Sequence, residues 1–388
     1  MKQLILHCAP ELTQAALLED GKLVEYDAQY PLDKLRAGSM YVGRVVNVLQ
    51  GLQAAFVDIG LAKNAFLYID DLLPVHLDKQ PKVKPSITEL VEPGQTVMVQ
   101  VTKEPEGTKG ARVSTHFSIP GRWIVYMPDA DYIAVSRKIN DEAEKQRLKQ
   151  TINSLRDHGE GIIVRTGAVG QSEAAIRKDL QDLRGLWSMI QSKAESADPP
   201  AQLYQDLDLL PKLARDVITD DVREVWIDQP SVCEEMKALL RNRSTELAER
   251  VSFYEEKSVP VFERFGIAEQ LNRCFRRKIW LPSGGYLVID QTEALTVIDV
   301  NTGKYTGSVN LEQTVFEINV EAAAEIPRLL RLRNIRGIII VDFIDMNEEK
   351  NRSIVLETIN RAVRQDRSKT VVVGWTKLGL LEMTRKRK

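Results

Sequence analysis

Two aspartates in this sequence each follow an apolar run that is typical of a buried strand. Asp299 comes after Leu-Thr-Val-Ile and is followed closely by Asn301. Asp342 stands inside Ile-Ile-Ile-Val-Asp-Phe-Ile, with Asp345 after it. A carboxylate is costly to bury unless it is paired, hydrogen-bonded or bound to a cation, and Mg²⁺ often takes only one or two protein carboxylates. If the strands are neighbours, the two carboxylates can converge on one Mg²⁺; the alternative for either alone is a turn cap or an arginine partner.

A glycine-bearing turn supplies a second candidate site. Arg165-Thr166-Gly-Ala-Val-Gly170 lies between a predicted strand at 162–166 and a helix that begins near Ser172. Glycines let backbone N–H groups approach an anion, and Arg165 and Thr166 add charged and neutral donors. This arrangement suits a terminal phosphate. A turn that only needs two glycines is an equal alternative, because the pattern matches neither a Walker loop nor G-x-G-x-x-G.

Short β-rich runs between residues 38 and 117 predict a small closed β-barrel. Phe56, Phe66 and Tyr68 lie on or beside these runs. Cationic side chains are close to them in the sequence: Lys63, Lys103, Lys109 and Arg112. Barrels of this kind bind single strands by stacking bases on aromatic rings while cations follow the phosphates. The alternative, favoured by residue type alone, places both phenylalanines in the core.

The remaining elements predict a mixed α/β protein. Asp20-Gly21 joins two strand-like runs into a hairpin, and a strand, turn and helix over 224–243 need such a hairpin to complete a sheet. A long helix after Ser172 carries a packing stripe at helical spacing: Ile176, Leu180, Leu183, Trp187 and Ile190. The last third predicts strands at 277–282, 285–291, 294–300, 337–344 (buried on both faces) and 370–375, with helices from Asn310 and over 352–365.

Composition excludes several classes of protein. Hydrophobic residues make up 43% and charged residues 28% of the 388, which is close to the globular average. No apolar run reaches the ~18 residues of a membrane span, and the N-terminus lacks a secretory signal, so a cytoplasmic location is predicted. Cys8, Cys233 and Cys274 are too few and too far apart for a disulfide framework or zinc site and are predicted to be buried.

Several ordered motifs resemble the ribonuclease E/G family. The catalytic region of that family is similar to LTVIDVNTGKYTG (295–307), GIIIVDFIDM (337–346), RAVRQDRSK (361–369) and LGLLEMTRKR (378–387). QAAFVDIG and NAFLYI resemble its RNA-binding barrel, and GIIVRTGAVGQS resembles its 5′-sensing segment. The resemblance covers essentially the whole chain and implies an α+β composite fold. Its parts are an RNase H-like subdomain (1–35 and 211–275), an inserted OB-fold barrel of the S-one type (36–117), a 5′-sensor (118–210) and a DNase I-like α/β subdomain (276–388).

The function implied by the resemblance is that of a Mg²⁺-dependent endoribonuclease, with Mn²⁺ as a possible substitute. It would cut single-stranded, A/U-rich RNA into 5′-phosphate and 3′-hydroxyl ends, preferring 5′-monophosphorylated RNA, in rRNA maturation and mRNA decay. Asp299 and Asp342 match the metal ligands, and Asn301 matches a residue that orients an aspartate or the scissile phosphate. Matches to the 5′-phosphate pocket are Gly121, Val125, Arg165, Thr166 and Lys369, and matches to the RNA-holding barrel residues are Phe56, Phe66 and Lys109.

Two departures from the family pattern bear on these expectations. Lys369 stands where the family usually has an arginine; it keeps the charge but loses the bidentate fork, so a modest 5′-end preference is predicted. The sequence as given stops before the family's C-P-x-C zinc-link and small dimerisation domain, so the homo-oligomer of the full-length family is not carried over. The alternative function is a non-catalytic RNA-binding or ribosome-assembly protein, against which the retention of Asp299, Asn301 and Asp342 favours the enzyme.

Overall fold

The computed structural model describes residues 1–30, 36–74, 84–105, 109–241, 244–256, 258–303 and 311–386. The chain forms two compact units. Unit 1 combines Met1–Pro31 with Val217–Lys388, and unit 2 is the intervening segment Leu32–Asp216. No helix among the described residues is both long enough and apolar enough to cross a membrane.

Strands dominate the first 135 residues, and strands and helices are mixed after that. In chain order the strands are β1 (Lys2–Ala9), β2 (Leu12–Glu19), β3 (Lys22–Gln29), β4 (Met40–Leu49), β5 (Ala54–Asp58), β6 (Ala65–Tyr68), β7 (Thr96–Lys103), β8 (Arg112–Ser114), β9 (Ile119–Pro120), β10 (Ile124–Met127), β11 (Ile133–Val135), β12 (Gly161–Val164), β13 (Ala201–Tyr204), β14 (Val222–Ile227), β15 (Val251–Phe253), β16 (Lys278–Trp280), β17 (Tyr286–Gln291), β18 (Leu295–Asn301), β19 (Gly337–Asp342), β20 (Thr370–Trp375) and β21 (Leu381–Arg385). The helices are α1 (Ile87–Leu90), α2 (Glu142–Leu155), α3 (Glu173–Ser196), α4 (Leu209–Asp216), α5 (Pro230–Arg241), α6 (Thr245–Glu249), α7 (Val261–Arg264), α8 (Ile267–Cys274), α9 (Leu311–Leu332) and α10 (Glu349–Val363).

The first sheet of unit 1 contains strands from both of its sequence segments. Its strand order is β15-β14-β1-β2-β3, in which β1 pairs with β14 in parallel and with β2 in antiparallel register. This confirms that the N-terminal hairpin and the later strand complete one sheet. The central strand β1 was not predicted, because a half-buried His7 interrupts its apolar pattern.

The second sheet of unit 1 has the order β16-β17-β18-β19-β21-β20. Its buried side chains, among them Ile298 and Val341, share one hydrophobic core with residues of α9 and α10. The prediction that β19 is buried on both faces is wrong: Ile338 is 50% exposed, and Asp342 is exposed. The described helix α9 begins at Leu311, and the predicted start at Asn310 lies outside the described residues.

The barrel of unit 2 is closed and OB-like. Strands β4, β5, β6, β8 and β7 pair in that order, and β7 pairs back onto β4, while β13 extends the edge beside β4. Alternation along each strand sends Val57 and Leu67 into the barrel core. The closed barrel predicted from the short β-rich runs is confirmed.

The rest of unit 2 is a sheet of order β11-β12-β10-β9 with α2 and α3. The predicted stripe of α3 is fully buried, which confirms its packing role. Ser172 caps α3 by accepting a hydrogen bond from the Ala175 N–H, 3.2 Å away.

Of the three cysteines, which lie in unit 1, Cys233 and Cys274 are buried as predicted. Cys8 is only half-buried, contrary to the prediction, because it lies near the end of β1.

Candidate functional site

The two strand-borne aspartates lie side by side on the second sheet of unit 1. Asp299 on β18 and Asp342 on β19 are register partners in the only parallel pair of this sheet among the described strands. Partial desolvation by its neighbours, together with the negative charges of Asp299 and Asp345, raises the pKa of the solvent-exposed Asp342. The structure therefore brings together the carboxylates that the sequence predicted. Both carboxylates are exposed on the open face of the sheet and are not buried. Side chains alternate along a strand, so the preceding residues Ile298 and Val341 point into the core instead.

Asn301 fixes one of these carboxylates. Its Nδ2 donates a hydrogen bond to Oδ2 of Asp299 at 2.8 Å. Residues two apart on a strand share a face, so the amide lies beside the pair rather than across the sheet. This contact holds the orientation of the Asp299 side chain.

The loop after Asp342 is held by a residue that the sequence reading missed. Asn319 of α9 is fully buried; its Nδ2 donates to the Ile344 carbonyl at 2.7 Å, and its Oδ1 accepts from the Ile344 N–H at 3.1 Å. Both main-chain groups of Ile344 are thus tied to the helix, between Asp342 and Asp345. The available signal was an amide inside the apolar stripe of α9, which is unusual unless its polar atoms have partners.

The donor set suits a hard cation. Within the described ranges, neither Asp299 nor Asp342 has an arginine or lysine partner, and no group of three or more His, Cys, Asp or Glu side chains is placed to hold a metal ion. Mg²⁺ keeps several waters and is commonly bound through one or two carboxylates. A couple of like-charged, oxygen-bearing side chains fits that pattern of ligation.

A row of aromatic and cationic side chains crosses four strands of the barrel. Phe56 pairs with Phe66, Phe66 with Arg112, and Arg112 with Lys103. The two phenyl rings make an edge contact, with centroids 5.9 Å apart and planes at 72°. Both rings are half-buried and stand outside the barrel core, so the alternative that they are core residues is wrong. We call Phe56, Phe66, Arg112 and Lys103 the barrel row.

Lys109 lies at one margin of this row. It is exposed, and the next residue, Gly110, is so close to the 63–64 loop that a Cβ there would be 2.3 Å from the Asn64 carbonyl oxygen. The Phe66 N–H donates to the Ala111 carbonyl at 2.7 Å. The structure therefore brings Lys109 beside the strand that carries Phe66.

The predicted phosphate turn contains an arginine that already has protein partners. Arg165 donates through Nη1 to the Gly121 carbonyl at 2.5 Å and through Nη2 to Asp216 at 2.7 Å. Asp216 also accepts from Nε and Nη2 of Arg215 at 3.1 and 2.9 Å. Burial alone would raise the pKa of Asp216, but the two arginines outweigh it and lower the pKa. Asp216 had no sequence signal, since it is 51 residues from Arg165.

Thr166 and Val125 lie close to this arginine in unit 2. The exposed Thr166 hydroxyl is 2.9 Å from that of Ser136, and Val125 of β10 pairs with Ile163 of β12. One part of the predicted turn differs from expectation. The Gly170 N–H donates to Glu144 at 2.8 Å, so a carboxylate of the protein already uses this backbone donor.

Lys369 belongs to unit 1. It is exposed on a turn anchored by Asp366, which is buried and hydrogen-bonded to Nε of Arg385 at 2.7 Å. The Lys386 N–H donates to the Lys369 carbonyl at 2.9 Å. The grouping of Lys369 with Arg165 rests on the resemblance alone.

A barrel with an outward row of rings and cations is typical of proteins that bind single-stranded nucleic acid. Two neighbouring carboxylates with no arginine or lysine partner among the described residues are typical of enzymes that process it. The ribonuclease E/G family model matches residues 118–388. The chain is 40% identical to ribonuclease G of Escherichia coli (strain K12) over 392 residues, covering 99% of this chain and 80% of that protein. It is 42% identical to ribonuclease E of Nostoc sp. over 354 residues, 90% of this chain and 51% of that protein.

The chain belongs to the ribonuclease E/G family, as its motifs predicted. It is an endoribonuclease that acts in RNA processing. The alternative of a non-catalytic RNA-binding or ribosome-assembly protein has no support among these relatives.

Proposed function

We propose that this endoribonuclease depends on Mg²⁺, with Mn²⁺ as a substitute, and that Asp299 and Asp342 hold the ion. The register pairing of these two carboxylates on the open sheet face carries the proposal. A bound Mg²⁺ would supply positive charge and Lewis acidity at the scissile phosphate. Partial desolvation and then the negative charges of Asp299 and Asp345 raise the pKa of Asp342. A divalent cation would relieve the repulsion between these charges, which supports this role.

The protein's own residues prepare this centre. Asn301 holds the Asp299 carboxylate in one orientation, and Asn319 fixes the loop that follows Asp342. These contacts orient the proposed ligands, so little ordering of the carboxylates is left to be done when substrate arrives.

The substrate of this proposal is single-stranded, A/U-rich RNA, cut into 5′-phosphate and 3′-hydroxyl ends in rRNA maturation and mRNA decay in the cytoplasm. The barrel row favours single-stranded RNA as the substrate, because unstacked bases can lie on Phe56 and Phe66 while Lys109 approaches the RNA backbone. Weak A–U pairing leaves such segments unpaired more often than G–C-rich ones, which supports the compositional preference.

A preference for 5′-monophosphorylated RNA belongs to the same proposal, with Gly121, Val125, Arg165 and Thr166 of unit 2 as the phosphate-binding residues. Lys369 of unit 1 is added to them on the resemblance alone. Arginine has five N–H donors in a rigid fork, and Asp216 and Gly121 hold the plane of Arg165 in place. The exposed Thr166 hydroxyl provides a neutral donor next to it. The remaining donors of Arg165 are then oriented for a terminal phosphate.

The predicted subdomains are proposed with their original boundaries. A mixed sheet built from both sequence segments of unit 1 supports an RNase H-like subdomain (1–35 and 211–275). The layer of β16–β21 with α9 and α10 supports a DNase I-like subdomain (276–388). The OB-fold barrel (36–117) and 5′-sensor (118–210) fall in unit 2. A homo-oligomer is expected of the full-length family and is not carried over to this chain.

One experiment tests both parts of the proposal. Initial cleavage rates are measured below saturation for two A/U-rich oligonucleotides that differ only in a 5′-monophosphate or 5′-hydroxyl, with and without Mg²⁺. We expect no cleavage without the ion and faster cleavage of the phosphorylated RNA. Arg165→Lys and Thr166→Val should remove the preference without lowering the 5′-hydroxyl rate, and Lys369→Arg should increase it.

Arg177→Ala is the matched control, since Arg177 is an exposed arginine of α3 paired only with Glu173 in the described structure. Equal rates for the two RNAs with the wild-type chain would limit the function to cleavage independent of the 5′ end. Full activity in a chelator would remove the metal from the proposal.

A further inference from the structure

An aromatic cluster that the proposed function does not use lies beside the carboxylate pair. On the second sheet of unit 1, Trp280 pairs with Tyr286, and Tyr286 pairs with Asn301. Residues directly opposite on neighbouring strands share a face, so both rings stand on the open face that carries Asp299. With neighbouring strands ~4.8 Å apart, Trp280 lies about 10 Å from Asn301 across the sheet.

Lys278 completes the cluster. Its Nζ lies 3.5 Å from the ring centroid of Tyr286 and 4.4 Å from that of Trp280. The two rings make an edge contact, with centroids 5.2 Å apart at 61°. Lys278 belongs to none of the ion pairs formed between described residues. The two rings therefore position an ammonium group whose charge no neighbouring carboxylate neutralises.

The chain after Asn301 packs tightly against these rings. Gly303 has φ +60°, and a Cβ there would lie 3.1 Å from ring atoms of both Trp280 and Tyr286. Contact with Gly303 gives the rings a packing role, but 53% of Trp280 remains exposed. A large ring left half in water, next to an unpaired cation and on the face of the catalytic carboxylates, is more than this packing requires.

We propose that Lys278, Trp280 and Tyr286 form a subsite for a nucleobase of single-stranded RNA close to the scissile phosphate. The base stacks on the exposed surface of Trp280, and the Lys278 ammonium contacts a neighbouring backbone phosphate. The rings read the flat surface of a base rather than its hydrogen-bonding edge. The subsite therefore tolerates any base and favours purines, which stack more strongly. This inference rests on the proposed assignment of Asp299 and Asp342 as the catalytic centre.

An abasic scan tests the subsite. A single abasic nucleotide is moved through successive positions of a 5′-hydroxyl A/U-rich oligonucleotide, and binding is measured with the Asp299→Asn protein so that RNA stays intact. We expect one position near the cleavage site at which base loss weakens binding about 5- to 150-fold, as one lost stack would. In Asp299→Asn/Trp280→Ala that position should no longer matter, and in Asp299→Asn/Trp280→Phe part of the effect should return.

Val373→Ala is the matched control, because Val373 is an exposed apolar residue of β20, at the other edge of the same sheet. An abasic profile that is the same in Asp299→Asn/Trp280→Ala as in Asp299→Asn would leave the rings as packing for Gly303 and overturn the subsite. Failure of the underlying assignment looks different: Asp299→Asn would still cleave. The two outcomes are therefore read from separate measurements.

Discussion

Asp342 and Asp216 each end a regular element, β19 in one unit and α4 in the other, yet their surroundings are opposite. Asp216 accepts hydrogen bonds from Arg165 and Arg215, and its pKa is lowered although burial acts to raise it. Asp342 lies beside Asp299 and near Asp345, and partial desolvation together with their charge raises its pKa. A carboxylate with internal cations maintains the structure around it. Asp342 has no such partner among the described residues, and we propose that it binds a cation from outside.

The largest expected effect is on cleavage at the uncompensated pair. Asp299→Asn and Asp342→Asn should each lower the rate at least about 100-fold, since loss of an outer-shell contact alone typically costs about 10- to 100-fold. RNA binding should change little, because the barrel row lies in the other unit. Gel assays of cleavage across a Mg²⁺ titration measure the effect.

Asp290→Asn is the control for this prediction. Asp290 lies on the same sheet, but Arg277 neutralises it through bonds of 2.6 and 2.7 Å. Its loss should leave cleavage unchanged. Near wild-type cleavage by either Asp299→Asn or Asp342→Asn would contradict the assignment of these aspartates as metal ligands. They would then be no more important for cleavage than the arginine-paired Asp290.

Stability should respond in opposite directions at the two sites. Asp216→Ala leaves Arg165 and Arg215 without their shared partner and should destabilise unit 2, toward the low end of the about 3–5 kcal/mol found for breaking buried pairs. Asp342→Asn removes like-charge repulsion and should not lower the free energy of unfolding. Urea unfolding without Mg²⁺ measures both. Destabilisation by both variants would mean that Asp342 has an internal partner after all.

The barrel row extends the comparison from charge to aromatic surface. Phe56→Ala and Phe66→Ala should each weaken binding of single-stranded RNA by about 1–3 kcal/mol, with little loss of stability, because the rings are outside the core. Leu67→Ala, next to Phe66 but fully buried, should instead cost about 2–5 kcal/mol of stability. Filter binding and thermal unfolding separate the two outcomes. Early melting with normal RNA affinity in the phenylalanine variants would give both rings a role in stability and none in RNA binding.

The pH dependence of stability gives the smallest but most direct contrast. The stabilising contribution of Asp342 is present below its ordinary pKa of 3.8 and is lost as pH rises through its raised folded pKa. That of Asp216 is present above 3.8 and is lost as pH falls through its lowered folded pKa. Unfolding curves of Asp342→Asn and Asp216→Asn from acid to neutral pH, without Mg²⁺, should therefore depart from wild type in opposite directions. If the two variants departed from wild type in the same direction with pH, the proposed difference between Asp342 and Asp216 would be wrong.

Local pattern and motif were sufficient for much of the fold and for the candidate residues. The hairpin around Asp20-Gly21, the five barrel strands and the stripe of α3 follow from alternation, turn chemistry and helical spacing, which act over a few residues. The convergence of Asp299 with Asp342 followed from two apolar runs that end in carboxylates. The strands that were missed include the short β9, β13 and β15 and the longer β1 and β21. In β1 and β21, polar residues mask a pattern that becomes regular only when neighbouring strands pair with them.

The sequence by itself determined which side chains could do chemistry: the two aspartates, Asn301, the arginine–threonine turn and the rings of the barrel. Only the tertiary structure decided what surrounds them. Asp216 contacts Arg165, 51 residues away in the sequence, and Asn319 contacts Ile344, 25 residues away. Which face of β19 is exposed to water depends on which face packs against the hydrophobic core. The physical reason is that charge compensation and burial are properties of distance in space. A carboxylate and its cation can be far apart in the chain, so whether an aspartate supports the fold or is left to bind an ion is settled only when the elements pack.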